Sequence, residues 1–281
     1  MRPRVRKMDA DPIQPGNVAV VTGAASGIGR ALATAFADEG MRVVLADNNA
    51  TELRVAETTL AEAGRDVFPV VCDVSSEAEV QSLARLTLER YGAAHVLCNN
   101  AGVVGKGDAW RGPFSNWEWV VGINLFGVVH GIRAFLPIME QQGLGHIVNT
   151  ASMAGLTALP GAAPYNVTKH GVVALSEGLF LELAASGSPV KVSALCPGFV
   201  KTDLAVKEPA EADTSLASMI GGMLRTGVET GIPASDVANA VLDAIVAERF
   251  WILTHPEMSH APVERMERAE SQTNPSMFGL A

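Results

Sequence analysis

The stretch Thr22-Gly23-Ala24-Ala25-Ser26-Gly27-Ile28-Gly29 decides the fold of this chain. It follows an apolar, strand-like run at 17–22 and precedes 30–39, where apolar residues recur at helical spacing. A strand, a glycine-rich turn and a helix form the opening of a dinucleotide-binding βαβ unit, in which a pyrophosphate lies against the helix N-terminus. The glycines are spaced Gly-x3-Gly-x-Gly rather than GxGxxG. We favour phosphate binding over a glycine-rich loop that holds no ligand.

Strand-like and helix-like segments alternate through the rest of the chain. Repeated βα units predict one α/β domain with a doubly wound, seven-stranded parallel sheet and helices on both faces. The predicted strands are 17–22, 41–46, 67–72, 96–98, 146–151, 190–196 and 250–253, and the predicted helices are 30–39, 51–63, 76–90, 115–142, 164–185 and 234–247.

The ends of the chain and one internal tract fall outside this alternation. We expect a flexible arm at 1–15 and the α/β domain at 16–255. Within the domain, 203–230 mixes small and polar residues with an amphipathic pattern and is expected to form a mobile lid over the substrate. The tail at 256–281 could cross to a neighbouring subunit, cap the substrate pocket or remain loose.

Tyr165 and Lys169 carry the strongest signal of chemistry. Their spacing of four places both side chains on one helix face. An ammonium group held near a phenol lowers the phenol pKa from about 10 towards neutrality, so the phenol can exchange a proton with an alcohol or carbonyl oxygen. Ser152, at the end of the preceding predicted strand, could hold that oxygen. The pair alone is a weak signal, because a tyrosine and a lysine can share a helix by chance.

The chain resembles the short-chain dehydrogenase/reductase family from about Asn17 to Leu253. The family motifs occur in order and with no departure at the catalytic positions. They are TGxxxGxG at 22–29, Asp73 after the third strand, NNAG at 99–102, Asn124 in the fourth helix, the set Ser152, Tyr165 and Lys169, and PGxVxT at 197–202. The resemblance implies a Rossmann-type fold and an NAD(P)-dependent alcohol dehydrogenase or ketone reductase.

The resemblance also implies a role for each matching residue. Tyr165 exchanges the substrate proton, Lys169 lowers the Tyr165 pKa and binds the nicotinamide ribose, and Ser152 orients the substrate oxygen. Asn124 is implied to hold a water that links Lys169 to solvent, the alternative being a helix-kink residue with a satisfied side chain. The implied cofactor contacts are Gly23, Ser26, Gly27, Ile28, Gly29, Asp47, Asp73, Val74, Asn100, Ala101, Gly102, Tyr165, Lys169 and, in the turn of Pro197 and Gly198, Val200 and Thr202.

Asp47 favours NAD over NADP as the cofactor. It closes the second predicted strand, 18 residues after Gly29, where a carboxylate can bind the adenosine ribose hydroxyls and repel a 2′-phosphate. Ser26 stands where NADP-preferring relatives often carry a basic residue. Arg30 and Arg42 are the basic residues that could oppose this interpretation, but Arg42 starts the second strand at the far end from the cofactor. The alternative for Asp47 is an N-terminal cap of the helix that follows it.

Composition excludes several other functions. The net charge of −9 argues against a nucleic-acid partner, and no apolar run approaches the about 20 residues of a membrane helix. Cys72, Cys98 and Cys196 have no framework spacing, which favours reduced thiols and a cytoplasmic location. The six histidines show no HxxxH pair, so we expect no catalytic metal.

The family resemblance also places the substrate pocket. The family places its pocket after strands four, five and six, and the corresponding residues are mainly apolar, which favours a secondary alcohol or ketone with a bulky apolar or aromatic group. They are Val103, Val104, Trp110, Met153, Ala154, Leu159, Leu204, Val206, Met219 and Met223. Trp117 and Trp119 lie near the fourth helix, as core, pocket or subunit contacts.

The family resemblance implies a homotetramer or homodimer, with the subunit-contact edge at 250–253. An apolar edge strand there also needs cover. An NADP-dependent carbonyl or 3-oxoacyl reductase is the first alternative function, and a non-enzymatic NAD sensor or scaffold is the second. An intact catalytic set argues against the sensor.

Overall fold

The protein is described as a computed structural model that covers residues 11–105, 110, 112–202, 222 and 225–275. One parallel sheet of seven strands has the order β3-β2-β1-β4-β5-β6-β7. Its strands are β1 (Val18–Thr22), β2 (Arg42–Asp47), β3 (Val67–Val71), β4 (Val96–Asn99), β5 (Gly145–Thr150), β6 (Val190–Cys196) and β7 (Trp251–Leu253). This confirms the predicted doubly wound α/β fold and its single domain.

Helices cover both faces of the sheet. They are α1 (Gly27–Asp38), α2 (Ala50–Glu62), α3 (Glu77–Tyr91), α4 (Phe114–Val121), α5 (Gly127–Gln142), α6 (Ala163–Ser186), α7 (Ala234–Val246) and α8 (His260–Glu270). Residues 225–230 are also helical. The predicted start of α1 at residue 30 is three residues late, because the helix begins inside the glycine-rich motif.

Two apolar cores lie on opposite faces of the sheet. One packs α3, α5 and α6 and contains the fully buried Phe135 and Met139. The other packs α1, α2 and α7 and contains the fully buried Leu32 and Phe36. All residues of β4 and β5 are buried, as expected for central strands covered on both faces. The central strands therefore present their carboxyl ends as a rigid edge for the site.

The N-terminal arm is shorter than predicted. Ile13 is fully buried in the core under α1 and α2, and its backbone N–H donates to the Asp11 carboxylate at 2.9 Å. Residues 11–13 are buried and Pro15 is exposed. Burial of the Ile13 side chain removes its apolar surface from water. Residues 1–10 lie outside the described part of the chain.

The fourth predicted helix is one long helix with an irregular centre. A π-helical turn at Gly122–Phe126 joins α4 to α5, and Asn124 lies in it. By length and composition alone, Phe114–Gln142 could cross a membrane, which differs from the expectation of no such segment. Its apolar character is interrupted by Asn124, His130 and Arg133, and it packs against α3, α6 and β5 as a core helix.

The C-terminal segment returns to the active-site side of the sheet. A short 3-10 turn, Pro256–Met258, follows β7 and leads into α8. Arg265 of α8 donates to the carbonyl oxygen of Leu156 at 3.3 Å, and Ala261 is buried. The described part of the predicted tail thus contacts the loop that follows β5.

Candidate active site

The Thr22 hydroxyl joins the ends of β1 and β4. Its oxygen accepts hydrogen bonds from the backbone N–H groups of Asn100 at 2.9 Å and Ala101 at 3.1 Å, and it donates to the Cys98 carbonyl at 3.3 Å. The Asn100 side chain donates in return to the Thr22 carbonyl at 3.0 Å. The glycine-rich turn and the 99–102 motif are therefore held as one unit at the edge of the sheet.

The glycine-rich turn has no room for side chains at its glycines. Gly23 and Gly27 have φ values of +66° and +53°, in the left-handed region that favours glycine. A Cβ at Gly29 would overlap the carbonyl of Gly23, so the turn closes onto α1 only with glycine there. The glycines therefore present backbone to the start of α1, where a diphosphate fits.

The first turn of α1 lacks the side-chain cap that α2 and α3 have. Asn49 and Ser76 cap α2 and α3 by accepting from backbone N–H groups. At α1, within the described part of the chain, the Ser26 side chain makes no capping hydrogen bond, and Ile28 lies in the same first turn. The N–H groups at the start of α1 are thus left for an anionic ligand, which fits the pyrophosphate of a dinucleotide.

Asp47 ties the end of β2 to the glycine-rich turn. One carboxylate oxygen accepts from the backbone N–H of Ala25 at 3.1 Å, and the other accepts from that of Asn49 at 2.9 Å. The cap of α2 is Asn49, which accepts from Glu52 N–H at 3.2 Å. Asp47 is therefore not the helix cap, and its oxygens keep lone pairs for the hydroxyls of a ribose.

Asp73 and Val74 form a turn beside this groove. The Asp73 carboxylate accepts from the backbone and the hydroxyl of Ser75, at 2.9 and 2.7 Å. The Val74 carbonyl accepts from His130 Nδ1 of α5 at 2.9 Å, and Gly127 lies so close to Val74 that a Cβ there would collide with it. The turn assigned to the adenine is thus fixed against α5.

Ser152 begins the short turn that follows β5. It is nearly buried, its oxygen accepts from the backbone N–H of Ala154 at 3.1 Å, and its hydroxyl donates to the Pro197 carbonyl at 3.5 Å. Met153 N–H also donates to the Pro197 carbonyl, at 2.9 Å. The serine and the 197–202 loop are therefore direct neighbours.

Lys169 is buried behind Tyr165. Its Nζ lies 5.6 Å from the centre of the Tyr165 ring and donates to the Thr150 carbonyl at 2.8 Å. Burial lowers the pKa of Lys169 from 10.5 to about 8. A Cβ at Gly155 would collide with the Lys169 carbonyl, so the turn that begins at Ser152 packs directly on the lysine's own helical turn.

Asn124 has a fully buried side chain with its hydrogen bonds made. Its oxygen accepts from Val103 N–H at 2.8 Å, and its amide donates to the Val103 carbonyl at 2.9 Å and to the Thr168 hydroxyl at 3.3 Å. A Cβ at Gly102 would lie 3.3 Å from Asn124 Oδ1 and 3.6 Å from Lys169 Nζ. Asn124 thus holds the loop that follows β4 beside Lys169. Its hydrogen-bonding groups are satisfied, and it lies on the π-helical turn.

The predicted pocket is described only in part. Val103, Val104 and Leu159 are half-buried, and Met153 and Ala154 are buried beside Ser152. Trp110 is 77% exposed, and Trp119 is 46% exposed on α4. Leu204, Val206, Met219 and Met223, and most of the predicted lid at 203–230, lie outside the described residues.

The three thiols are buried and unpaired with one another. Burial raises the pKa of Cys72 and of Cys196 to about 12 and raises that of Cys98. At Cys196, the Lys169 charge and the Ser152 backbone oppose that rise, which places the thiol beside both residues. Among the described residues, no group of three His, Cys, Asp or Glu side chains could hold a metal ion.

His255 belongs to the site although sequence reasoning gave it no role. It is buried, its Nδ1 accepts from Gly198 N–H at 3.0 Å, and its Nε2 lies 2.9 Å from the Phe199 carbonyl. Thr168 was also missed, although it bonds to Asn124. The signal for His255 is weak in sequence, since a histidine after a short strand has many possible partners.

The chain is similar in sequence to known dehydrogenases. Residues 17–213 match the family model described as short chain dehydrogenase. The 1-deoxy-11-beta-hydroxypentalenate dehydrogenase of Streptomyces avermitilis is 39% identical over 248 residues, which are 87% of this chain and 86% of the relative.

Two solved structures differ in the cofactor they contain. A short-chain dehydrogenase/reductase from Burkholderia phymatum, in complex with NAD, superposes with a TM-score of 0.91 at 41% identity, covering 96% of this chain and 99% of the other. An actinorhodin polyketide ketoreductase in complex with NADPH has a TM-score of 0.74 at 34% identity, covering 87% and 97% of the two chains.

Proposed function

The chain belongs to the short-chain dehydrogenase family and is an oxidoreductase, and we propose that it interconverts a secondary alcohol and a ketone with NAD as the cofactor. The observation that carries the proposal is the position of Lys169. Its buried amine lies 5.6 Å from the centre of the Tyr165 ring. The amine also lies beside Gly102, where an added Cβ would be 3.6 Å from it. One cation therefore serves both the proton-transfer residue and the cofactor groove.

Each proposed catalytic residue has a physical task. In oxidation, Tyr165 accepts the hydroxyl proton of the alcohol, and in reduction it returns a proton to the forming alkoxide. Lys169 favours the tyrosinate through its charge. Ser152 donates a hydrogen bond to the substrate oxygen and stabilises negative charge on it. NAD, when bound, supplies the acceptor for the hydride that leaves the substrate carbon.

Asn124 is proposed to act through the loop that it holds. Because its side chain is bonded to both backbone groups of Val103, it keeps 102–103 beside Lys169. A water that relays protons between Lys169 and solvent would then be bound by backbone groups of the irregular helical turn rather than by the Asn124 amide. This narrows the role that the family resemblance implies.

NAD is proposed as the cofactor because of Asp47. The carboxylate is fixed by Ala25 N–H at the rim of the glycine-rich turn, where it can accept from ribose hydroxyls and would repel a 2′-phosphate. The likeness to an NADPH-bound ketoreductase favours a second candidate, an NADP-dependent carbonyl or 3-oxoacyl reductase. The two candidates share the catalytic set and differ in the adenosine ribose contacts and the acyl group.

The substrate is proposed to carry a bulky apolar or aromatic group. The described residues at the expected pocket positions include the buried Met153 and Ala154, next to Ser152 in the chain, and the half-buried Val103 and Val104, after β4. These side chains offer dispersion contacts and no fixed charge. We further propose a homotetramer or homodimer that works in the cytoplasm, without membrane or nucleic-acid partners, in keeping with the net charge of −9 and three unpaired thiols.

The test is absorbance in the NADH band with purified protein, NAD or NADP, and a panel of benzylic, alicyclic, steroid, sugar and 3-hydroxyacyl alcohols. Turnover of benzylic or alicyclic alcohols with NAD supports the proposal. Turnover with NADP only, or of acyl thioesters only, supports the reductase. No turnover across the panel, together with tight NADH binding, supports a sensor instead.

A further inference from the structure

The 197–199 backbone is shared between the catalytic serine and the C-terminal segment. The Pro197 carbonyl accepts from Ser152 Oγ and from Met153 N–H. The next two residues bond to His255, because Gly198 N–H donates to its Nδ1 and the Phe199 carbonyl lies 2.9 Å from its Nε2. Three consecutive residues thus connect Ser152, just after β5, with His255, after β7.

The hydrogen bonds assign one tautomer to His255. A backbone N–H can only donate, so Nδ1 accepts and carries no proton. A backbone carbonyl can only accept, so Nε2 carries the proton and donates to Phe199. The ring is 5% exposed, and the Thr254 hydroxyl also lies 2.9 Å from Nδ1. His255 therefore supplies one acceptor and one donor to adjacent peptide units.

The loop packs closely against this ring. A Cβ at Gly198 would come within 2.7 Å of the Met258 sulfur and 2.8 Å of His255 Cγ. On the other side, Ile232 N–H donates to the Phe199 carbonyl at 3.1 Å, and Lys201 N–H donates to the Ile232 carbonyl at 2.9 Å. Farther along the loop, Thr202 lies beside the glycine-rich turn, since a Cβ at Gly27 would be 3.0 Å from its methyl group.

Distance then decides which part of a dinucleotide this loop can contact. The cofactor carbon that exchanges hydride must approach the substrate carbon to about 3–3.5 Å. The substrate oxygen is bonded to that substrate carbon and is held by Ser152, which itself bonds to Pro197. The 197–199 loop consequently borders the hydride-exchanging end of the cofactor, while Asp47 and the glycine-rich turn border the other end.

We propose that His255 is a positioning residue that sets the 197–199 backbone against the nicotinamide end of the cofactor. The inference rests on the proposed function, since it assumes that a nicotinamide dinucleotide binds in this groove. It assigns a role in the site to a residue that contacts neither the substrate nor the reacting atoms.

Three substitutions separate the two hydrogen bonds. His255→Phe removes both the acceptor for Gly198 and the donor for Phe199. His255→Asn keeps an oxygen near the position of Nδ1, and His255→Gln keeps an N–H near the position of Nε2. His146→Phe is the matched control, because His146 is buried and bonds to Ser193 in the neighbouring strand, away from the 197–199 loop.

The measurement is the dissociation constant of NADH and of ADP-ribose, by calorimetry on the full chain. ADP-ribose has the adenosine and diphosphate contacts but no nicotinamide. We expect His255→Phe to weaken NADH binding about tenfold, as for the loss of two buried hydrogen bonds, and to leave ADP-ribose within about twofold. His255→Asn and His255→Gln should each restore part of the NADH affinity, and the control should leave the ratio of the two constants unchanged.

Two outcomes would overturn the inference while leaving the proposed function intact. One is an equal loss of affinity for both ligands, which would mean a general structural role. The other is NADH affinity that no His255 variant changes. If His255→Phe does not fold, the Asn and Gln variants give the same comparison. If the wild-type chain binds neither ligand, the proposed function fails together with the inference.

Discussion

Lys169 Nζ lies 5.6 Å from the centre of the Tyr165 ring while it donates a 2.8 Å hydrogen bond to the Thr150 carbonyl. The two side chains share one face of α6, and the carbonyl at the end of β5 fixes the amine there. The amine is held in a site that disfavours its charge, since burial lowers its pKa to about 8. Such a residue serves function at a cost in stability.

Tyr165→Phe should remove nearly all turnover and keep cofactor binding. The substitution deletes only the hydroxyl that exchanges the proton, which is worth roughly 10²–10⁴-fold in rate. The measurement is kcat for the preferred alcohol beside the NADH dissociation constant. Tyr91→Phe is the control, because the other tyrosine ends α3 and bonds to Asp66 just before β3, away from Ser152 and Lys169. Substantial residual turnover in Tyr165→Phe would contradict the acid–base role.

Lys169→Met should abolish turnover and stabilise the cofactor-free protein at pH 7 by about 1–3 kcal/mol. The folded pKa of about 8 lies below the unfolded value of 10.5, so the unfolded chain binds more protons between these values. The buried ammonium therefore destabilises the folded protein by its full amount below pH 8. This destabilisation decreases as the pH rises from 8 towards 10.5.

Urea denaturation at pH 7 and pH 9.5 measures this effect. The free energy of unfolding of the wild type should rise relative to that of Lys169→Met between pH 7 and pH 9.5. At pH 7, the lost hydrogen bond to Thr150 partly offsets the stabilisation of the variant. A variant less stable than wild type at both pH values would mean that the amine stabilises the empty site.

Asp47→Ala should weaken NAD about tenfold more than NADP. The carboxylate accepts from Ala25 N–H in the glycine-rich turn and is placed to accept from ribose hydroxyls as well. The measurement is kcat/KM with each cofactor. Asn49→Ala is the control, because it removes the cap of α2 and keeps the carboxylate. An unchanged preference for NAD in Asp47→Ala would mean that Asp47 only holds the glycine-rich turn through its hydrogen bonds.

His146 should make the protein sensitive to acid. It is buried and donates to Ser193, and burial lowers its pKa from 6.5 to about 3. The unfolded chain therefore binds more protons between these values, and stability falls as pH drops below about 6.5, by about 2 kcal/mol at pH 5.

His146→Gln keeps an N–H for Ser193 and cannot titrate. Urea denaturation at pH 7 and pH 5 should show a smaller loss of stability in the variant than in the wild type, by about the same 2 kcal/mol. Equal losses would show that other groups account for the acid sensitivity.

The protein should elute from gel filtration as an assembly larger than 29.4 kDa. Trp251 and Leu253 of the edge strand β7 are 37% and 41% exposed, and apolar side chains also stand out from α4 and α6. Trp251→Glu should shift the species towards the monomer, because burial of a charge opposes association. Val55→Glu on α2 is the control. A wild-type monomer by light scattering would remove the subunit-contact interpretation.

The fold was predictable because most strands are central and apolar. The apolar runs and the glycines at the turns then indicate the same strand boundaries. The start of α1 was misplaced since helix and turn share the same glycines. The packing of Ile13 and the helix α8 depended on tertiary contacts that leave little local pattern. In the site, residues of the family motifs lie close together, whereas His255 bonds to backbone groups 56 and 57 residues away, which no local spacing reveals.

The π-helical turn and the glycine motif are complete early in the chain, but the ring that fixes the 197–199 loop is not. His255 follows Gly198 by 57 residues and comes after the last strand of the sheet. A chain cut short before residue 255 would therefore keep the whole glycine-rich motif and Ser152, Tyr165 and Lys169, and lose the ring that bonds to the 197–199 loop.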